Sequence, residues 1–200
     1  MLKYIINKTN ILNKEFYLRS PEIVAKELLG KILVKKTDKE ILSGMIVETE
    51  AYLSKNDQAS HSATGLSNRN KMMFEQGGIL YVYKIYGIHH CINVVTEDNG
   101  IGSAVLIRAI EPIDGINSMK ILRNTSEINN LTNGPGKVSQ AFDFNLIDNG
   151  KSLESDEISI YDNERISESE IITTKKIGIT KSVDLPLRFY LKSNSFVSKK

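Results

Sequence analysis

Three runs rich in β-branched and aromatic residues, 79–86, 90–96 and 103–110, follow one another with only turn-forming residues between them. That rhythm constrains the fold more than any other feature of the chain. Gly87-Ile88-His89 separates the first two runs and Asp98-Asn99-Gly100 the second two, so an antiparallel meander is predicted. Upstream, residues 31–36 and 41–52 alternate well enough for strands and are joined by Thr37-Asp38-Lys39-Glu40, which predicts a second hairpin.

Helices are predicted where caps and breakers agree. Ser20-Pro21-Glu22 opens a segment through Leu29 that Gly30 stops, with serine as cap and proline in the first turn. Residues 114–123 and 136–142 also read as helical, the second entered through Asn133-Gly134-Pro135, whose free backbone amides could meet a phosphate. Short helices are expected at 57–65 and, after a Ser67 cap, at 68–74. Late strands are expected at 158–161, 171–179 and 187–191, and Lys199-Lys200 as a frayed end.

Two hundred residues, 40% of them hydrophobic, suit one domain with a sizeable core. A formal charge of +2 and a pI near 8.5 require any polyanion to be met by a local patch. The single cysteine, Cys91, forms no internal disulfide, and no Cys/His cluster has zinc-ligand spacing. No signal peptide or membrane-spanning run is visible, so a soluble cytoplasmic protein is expected, with no membrane partner.

The chemistry gathers between Met45 and Arg108. Glu48 and Glu50 are two apart, so on a strand they share a face, whereas a bend between them would separate them. A two-acid glycosidase sets its carboxylates roughly 5 to 9.5 Å apart on opposite sides of the scissile bond, which neighbouring strand positions do not easily satisfy. One glutamate is therefore expected to act alone as a general base and the other to be structural, against the ordinary alternative of solvated or arginine-paired surface charges. Tyr52, His61 and Tyr83 offer flat faces on which a heterocycle can stack, although sheet packing explains any single strand tyrosine equally well. Alternation puts Tyr81 and Tyr83 on one face and Tyr86 on the other. Tyr86, beside Gly87, has the form of a minor-groove wedge or of a half-exposed turn tyrosine. Asn93 can read a base edge or satisfy nearby backbone, and Arg108 can hold a phosphate, a carboxylate and water, or a structural ion pair.

Met45-Ile-Val-Glu-Thr-Glu-Ala-Tyr52, His61, Arg69-Asn70, Leu80-Tyr-Val-Tyr-Lys-Ile-Tyr-Gly87, Asn93 and Leu106-Ile-Arg-Ala-Ile-Glu-Pro112 together resemble the alkyladenine, or 3-methyladenine, DNA glycosylase family. Asn133-Gly-Pro-Gly-Lys137 and Leu185-Pro-Leu-Arg-Phe-Tyr190 extend the resemblance over nearly the whole chain. It implies a mixed α/β (α+β) fold: a single domain, residues 1–200, on a curved, mainly antiparallel sheet with flanking helices and a protruding DNA-binding β-hairpin. It implies a monofunctional glycosylase of base excision repair that acts on double-stranded DNA containing damaged purines and works as a monomer at the bacterial nucleoid. The damaged nucleotide is flipped out, because its glycosidic carbon is shielded inside the stack.

By motif position, the resemblance makes Glu50 the base that activates water, Arg108 the residue that helps hold it, and Glu48 the support. It makes Tyr52, His61 and Tyr83 the walls of the base pocket, with the His61 backbone amide on the base edge. Asn93 becomes the residue that crowds out guanine's exocyclic amine, and Tyr86 the intercalating residue that fills the vacated stack. Cationic 3-methyladenine and 7-methylguanine leave without a second acid, while hypoxanthine stays open as a further substrate. No lysine nucleophile, metal or cofactor is expected. Ile88 and His89 at the hairpin tip depart from the larger residues of better-known relatives. A catalytically silent damage binder, which would lack the base, and a small-molecule nucleoside hydrolase, which would not need the hairpin, are the competing readings.

Overall fold

The computed structural model describes residues 10–85 and 87–200. Two short helices, α1 (Lys14–Tyr17) and α2 (Pro21–Glu27), precede β1 (Ile32–Lys36) and β2 (Ile41–Tyr52). The meander β3 (Leu80–Ile85), β4 (His89–Thr96) and β5 (Ser103–Asp114) follows, then α3 (Ile116–Arg123), α4 (Pro135–Ala141), β6 (Ile158–Tyr161), β7 (Ile171–Thr174) and β8 (Arg188–Leu191). The strands build one eight-stranded sheet in the order β3-β4-β5-β2-β1-β6, with β8 added to β2 and β7 to β8, every pairing antiparallel.

β2 is the hub. One of its edges pairs with β5 over most of its length, while the other is shared end to end by β1, opposite residues 41–45, and by β8, opposite residues 48–50. The β2–β5 ladder is irregular where these partners change. Ile46 faces Ile110, Glu48 faces Ala109 and Thr49 faces Ile107, so Val47 has no partner on β5 and Arg108 none on β2. An unpaired residue bends its strand and re-aims the side chains around it. Here one extra residue on each strand does so within three rungs.

Side chains from every part of the chain, from Leu12 to Phe196, form the main core, which includes Val24 and Ala25 of α2, Val138 and Ala141 of α4, and Phe142. α2 packs on β2 and β5, and α4 on β4 and β5. Burying each such large apolar side chain contributes about 1.5–3 kcal/mol, which anchors short helices that could not persist alone.

Ser20 caps α2 as its sequence predicts, accepting from Ile23 N at 3.4 Å; the helix ends at Glu27, before the expected Leu29, and a turn leads to Gly30 at φ +84°. Both hairpins and the third strand of the meander form where expected. Other segments differ from expectation. The 57–65 helix is a turn leading into a 3-10 turn, His61–Thr64, and the 68–74 helix shrinks to the 3-10 turn Lys71–Phe74, which begins after Asn70, whose amide donates to Ser67 Oγ at 3.4 Å. The expected strand 171–179 ends at Thr174, because its partner β8 begins at Arg188 and Gly178 takes φ +74°. Lys199 is tied down by its carbonyl, which accepts from Arg188 Nη2, so the chain there is held rather than frayed. Tyr86, the expected wedge, lies outside the described residues. Around it Ile85 pairs with His89, and Ile88 at the tip is 72% exposed.

Candidate active site

Where β2, β3, β4 and β5 meet the 3-10 turn at His61, a pocket of about 370 Å³ opens, lined by Tyr52, His61, Tyr81, Tyr83, Asn93 and Arg108 among others. That volume suits a small ligand, for which pockets of about 300–1,000 Å³ are usual. Alternation along β3 turns Tyr81 and Tyr83 the same way, and their ring centres lie 5.4 Å apart. His61 meets Tyr83 edge-on at 4.5 Å between ring centres. Its Nδ1 shares a hydrogen bond of 2.9 Å with the Tyr81 hydroxyl. Burial, helped by the nearby Arg69 cation, holds the His61 pKa below 6.5, so the ring is neutral at physiological pH. Asn70 fixes the turn behind it, donating to the carbonyls of His61 and Gly65, both at 2.9 Å.

The cross-strand neighbours close the pocket floor. Asn93 faces Tyr81 on the β3–β4 ladder and donates through Nδ2 to its carbonyl at 3.0 Å. Cys91 faces Tyr83, and burial, followed by that thiol's charge and hydrogen bond, pushes the Tyr83 hydroxyl far above its ordinary range. Both groups stay protonated at neutral pH, since burial also raises Cys91.

The two glutamates are fully buried and lie on the side of β2 that Arg108 reaches, so no bend separates them. Their surroundings differ. Glu48 accepts four hydrogen bonds: from Arg108 Nε at 2.9 Å, Arg188 Nε at 2.7 Å, Ser198 N at 2.7 Å and Ser198 Oγ at 2.9 Å. Three of these donors converge on Oε1, two of them guanidiniums, and the Ser198 amide engages Oε2. Burial works to raise the Glu48 pKa, but Arg108, the Ser198 amide and Arg188 outweigh it and hold the carboxyl below 4.5. Glu50 accepts from the Tyr52 hydroxyl at 2.9 Å and Ile177 N at 2.7 Å, and pairs with Arg108 Nη1 at 3.2 Å. Among the described residues that leaves one acceptor site, on the oxygen turned towards Tyr52. Arg108 itself stays charged: burial alone would lower its pKa, but Glu50 and Glu48 raise it above the ordinary arginine value.

Two loops roof the site, and a buried ion pair joins them. Lys176 Nζ meets Asp57 Oδ2 at 2.5 Å, both side chains fully shielded, and the ammonium sits 4.3 Å from the centre of the Tyr52 ring. Asp57 also accepts from Leu53 N at 3.2 Å and Ala59 N at 3.1 Å, which shapes the turn leading to His61. A larger hollow of about 810 Å³ lies between the Asn10–Arg19 region and Tyr161 to Glu164, but its ion pair, Arg19–Glu27, is 36% exposed at both partners and activates nothing.

Six of the seven residues singled out from sequence thus fall on one site: Glu50, Arg108, Tyr52, His61, Tyr83 and Asn93, with Tyr86 undescribed. Sequence reasoning put Tyr81 on the face of Tyr83 but gave it no role in the site. It also passed over Asn70, Arg188, Ser198 and the Asp57–Lys176 pair, which only the folded arrangement brings in. The turn at Asn133 places Pro135 on the pocket wall, while the Asn133 side chain accepts from Lys137 Nζ at 2.7 Å. Among the described residues no cluster of three or more His, Cys, Asp or Glu could hold a metal, and no helix is long and apolar enough to cross a membrane.

Residues 15–195 match the family model described as methylpurine-DNA glycosylase. A protein of Francisella tularensis subsp. tularensis (strain FSC 198) is 51% identical over 192 residues, covering 94% of this chain and 99% of its own. One from Prosthecochloris aestuarii is 46% identical over 187 residues, covering 93% and 90%, and one from Clostridium botulinum (strain Alaska E43 / Type E3) 44% over 202 residues, covering 95% and 100%. All three are provisionally named 3-methyladenine DNA glycosylase.

Proposed function

Since this chain belongs to the methylpurine-DNA glycosylase family, and is therefore a DNA glycosylase acting on damaged DNA, we propose that it flips alkylated purines into the Tyr52–His61–Tyr83 pocket and hydrolyses the glycosidic bond with water activated by Glu50. The observation that carries this reading is the inequality of the two buried glutamates. Two guanidiniums and Ser198 engage Glu48, whereas among the described residues Glu50 Oε2 accepts one hydrogen bond, from the hydroxyl of the pocket-wall Tyr52. A general base needs a free lone pair within reach of the proton it takes, and Glu50 Oε2, next to Tyr52 of the pocket wall, offers one.

The pocket chemistry fits cationic leaving groups. 3-Methyladenine and 7-methylguanine carry positive charge, which electron-rich tyrosine faces attract and a neutral His61 does not repel. Because the departing base is already cationic, one carboxylate suffices and no general acid is required. Water attacks the sugar C1′, Glu50 takes the proton, the C1′–N bond breaks, and its electron pair neutralises the purine. Arg108, shared by both glutamates, holds the Glu50 carboxylate in place. Asn93 on the floor excludes the exocyclic amine of undamaged guanine, and Tyr86 fills the gap left in the stack.

Glu50→Gln tests the assignment. Single-turnover release of 7-methylguanine from duplex DNA should fall by about 10²-fold or more, the usual scale of general-base catalysis, with lesion binding retained. Near-normal release by a folded Glu50→Gln protein would overturn it.

A further inference from the structure

The segment 196–199 comes back to the site from the far end of the chain. Phe196 and Val197 are buried in the sheet's core, and the Lys199 carbonyl is held by Arg188. Between these anchors Ser198 meets the back of the site: its amide donates to Glu48 Oε2 at 2.7 Å and its hydroxyl to Oε1 at 2.9 Å. The same hydroxyl oxygen receives Arg108 Nη2 at 3.5 Å, a long contact.

A guanidinium is flat and rigid, so fixing two of its nitrogens fixes the third. Arg108 is held at Nε by Glu48 and at Nη2 by Ser198, and the remaining Nη1 points at Glu50, 3.2 Å away. Ser198 touches neither Glu50 nor the pocket. We propose that Ser198 is a positioning residue for base excision: it sets the orientation of Glu48 and the plane of Arg108, and through them the placement of the Glu50 carboxylate. This role rests on the chemistry proposed above, in which Glu50 activates water.

The charged groups that face Glu48 are Arg108 from β5, Arg188 from β8 and, through Arg108, Glu50 from its own strand. Without the hydroxyl, Glu48 Oε1 keeps both arginines, but Arg108 loses its partner at Nη2 and leans on the two glutamates alone. Ser198→Ala should lower the single-turnover rate at saturating enzyme by roughly tenfold, the scale of one hydrogen bond to a charged group. Lesion-duplex affinity should match the wild type, and the variant should stay folded at the assay temperature. Ser198→Thr, which keeps the hydroxyl, should restore the rate. In a Glu48→Gln background Ser198→Ala should add little, because residues acting through one another are not additive.

An unchanged rate in Ser198→Ala overturns the positioning role, as does a loss seen only in affinity or folding, or one that persists in full on top of Glu48→Gln. Release by the wild type in the same assay separates the two ideas. If the wild type excises and Ser198→Ala is unaffected, only the role of Ser198 falls; if the wild type releases no base, both fall.

Discussion

Asn93 uses a single amide for two purposes. Its Nδ2 satisfies the Tyr81 carbonyl across the ladder, and the same side chain lines the pocket floor. Asn93→Ser should therefore have two separable effects. A buried carbonyl loses the second of its donors, the other being the ladder amide, which costs about 1 kcal/mol of stability and lowers the melting midpoint. The floor also recedes, so guanine should be released from undamaged duplex at a rate the wild type does not show. Release of free guanine from unmodified DNA is the measurement, and a stable variant that releases none reduces Asn93 to its ladder hydrogen bond. Residue by residue, what the sequence made visible was whatever lay on one strand at a period of two: Glu48 with Glu50, and Tyr81 with Tyr83. Arg188 and Ser198 were invisible as partners of Glu48, because they lie 140 and 150 positions away and only the addition of β8 to β2 brings them in.

Among the elements, the two roof loops depend most on a single contact. The Asp57–Lys176 pair joins them with both charges out of water, so Asp57→Asn strands a buried ammonium beneath Tyr52. Breaking such a pair costs about 3–5 kcal/mol, whereas replacing both partners by apolar groups is much milder. Asp57→Asn should lower the melting midpoint by roughly 10 °C in a chain of this size, and adding Lys176→Met should recover much of the loss. Thermal unfolding of the two variants decides it; an Asp57→Asn protein that melts with the wild type would show the pair to be idle. The strands β1 to β5 were legible because alternation and turn residues agree. The 171–179 run was not, since Ile172, Ile177 and Ile179 look alike in sequence. What ends β7 is the reach of its partner and the Gly178 backbone, neither of which is a property of the segment's apolar pattern.

For the molecule as a whole, acid stability has a clear contributor far from the pocket. Asp148 is buried between Lys35 at 2.9 Å and Lys151 at 2.9 Å and caps its own turn through Asn145 N. Burial pushes its pKa up, but the Lys151 and Lys35 hydrogen bonds and the Asn145 amide prevail and hold it below the ordinary 3.8. A carboxyl depressed in the folded state adds stability that is complete above its unfolded pKa and is lost as pH falls from there through the folded value. The wild-type melting midpoint should therefore drop more steeply than that of Asp148→Asn below about pH 4, and parallel curves would exclude the contribution. The sheet's irregularity has a reach of another kind. Val47 and Arg108 are insertions on opposite strands, so their displacements cancel and the ladder is back in step by Thr49. In the language of crystals they are a bound pair of opposite dislocations: the lattice is disturbed between them and in step on both sides, from Gly44 to Ile46 and from Thr49 to Tyr52. The sheet can thus hold a misaligned arginine against two carboxylates while its remaining rows keep their alternation. Neither defect can be removed alone without throwing half of β2 onto the wrong face.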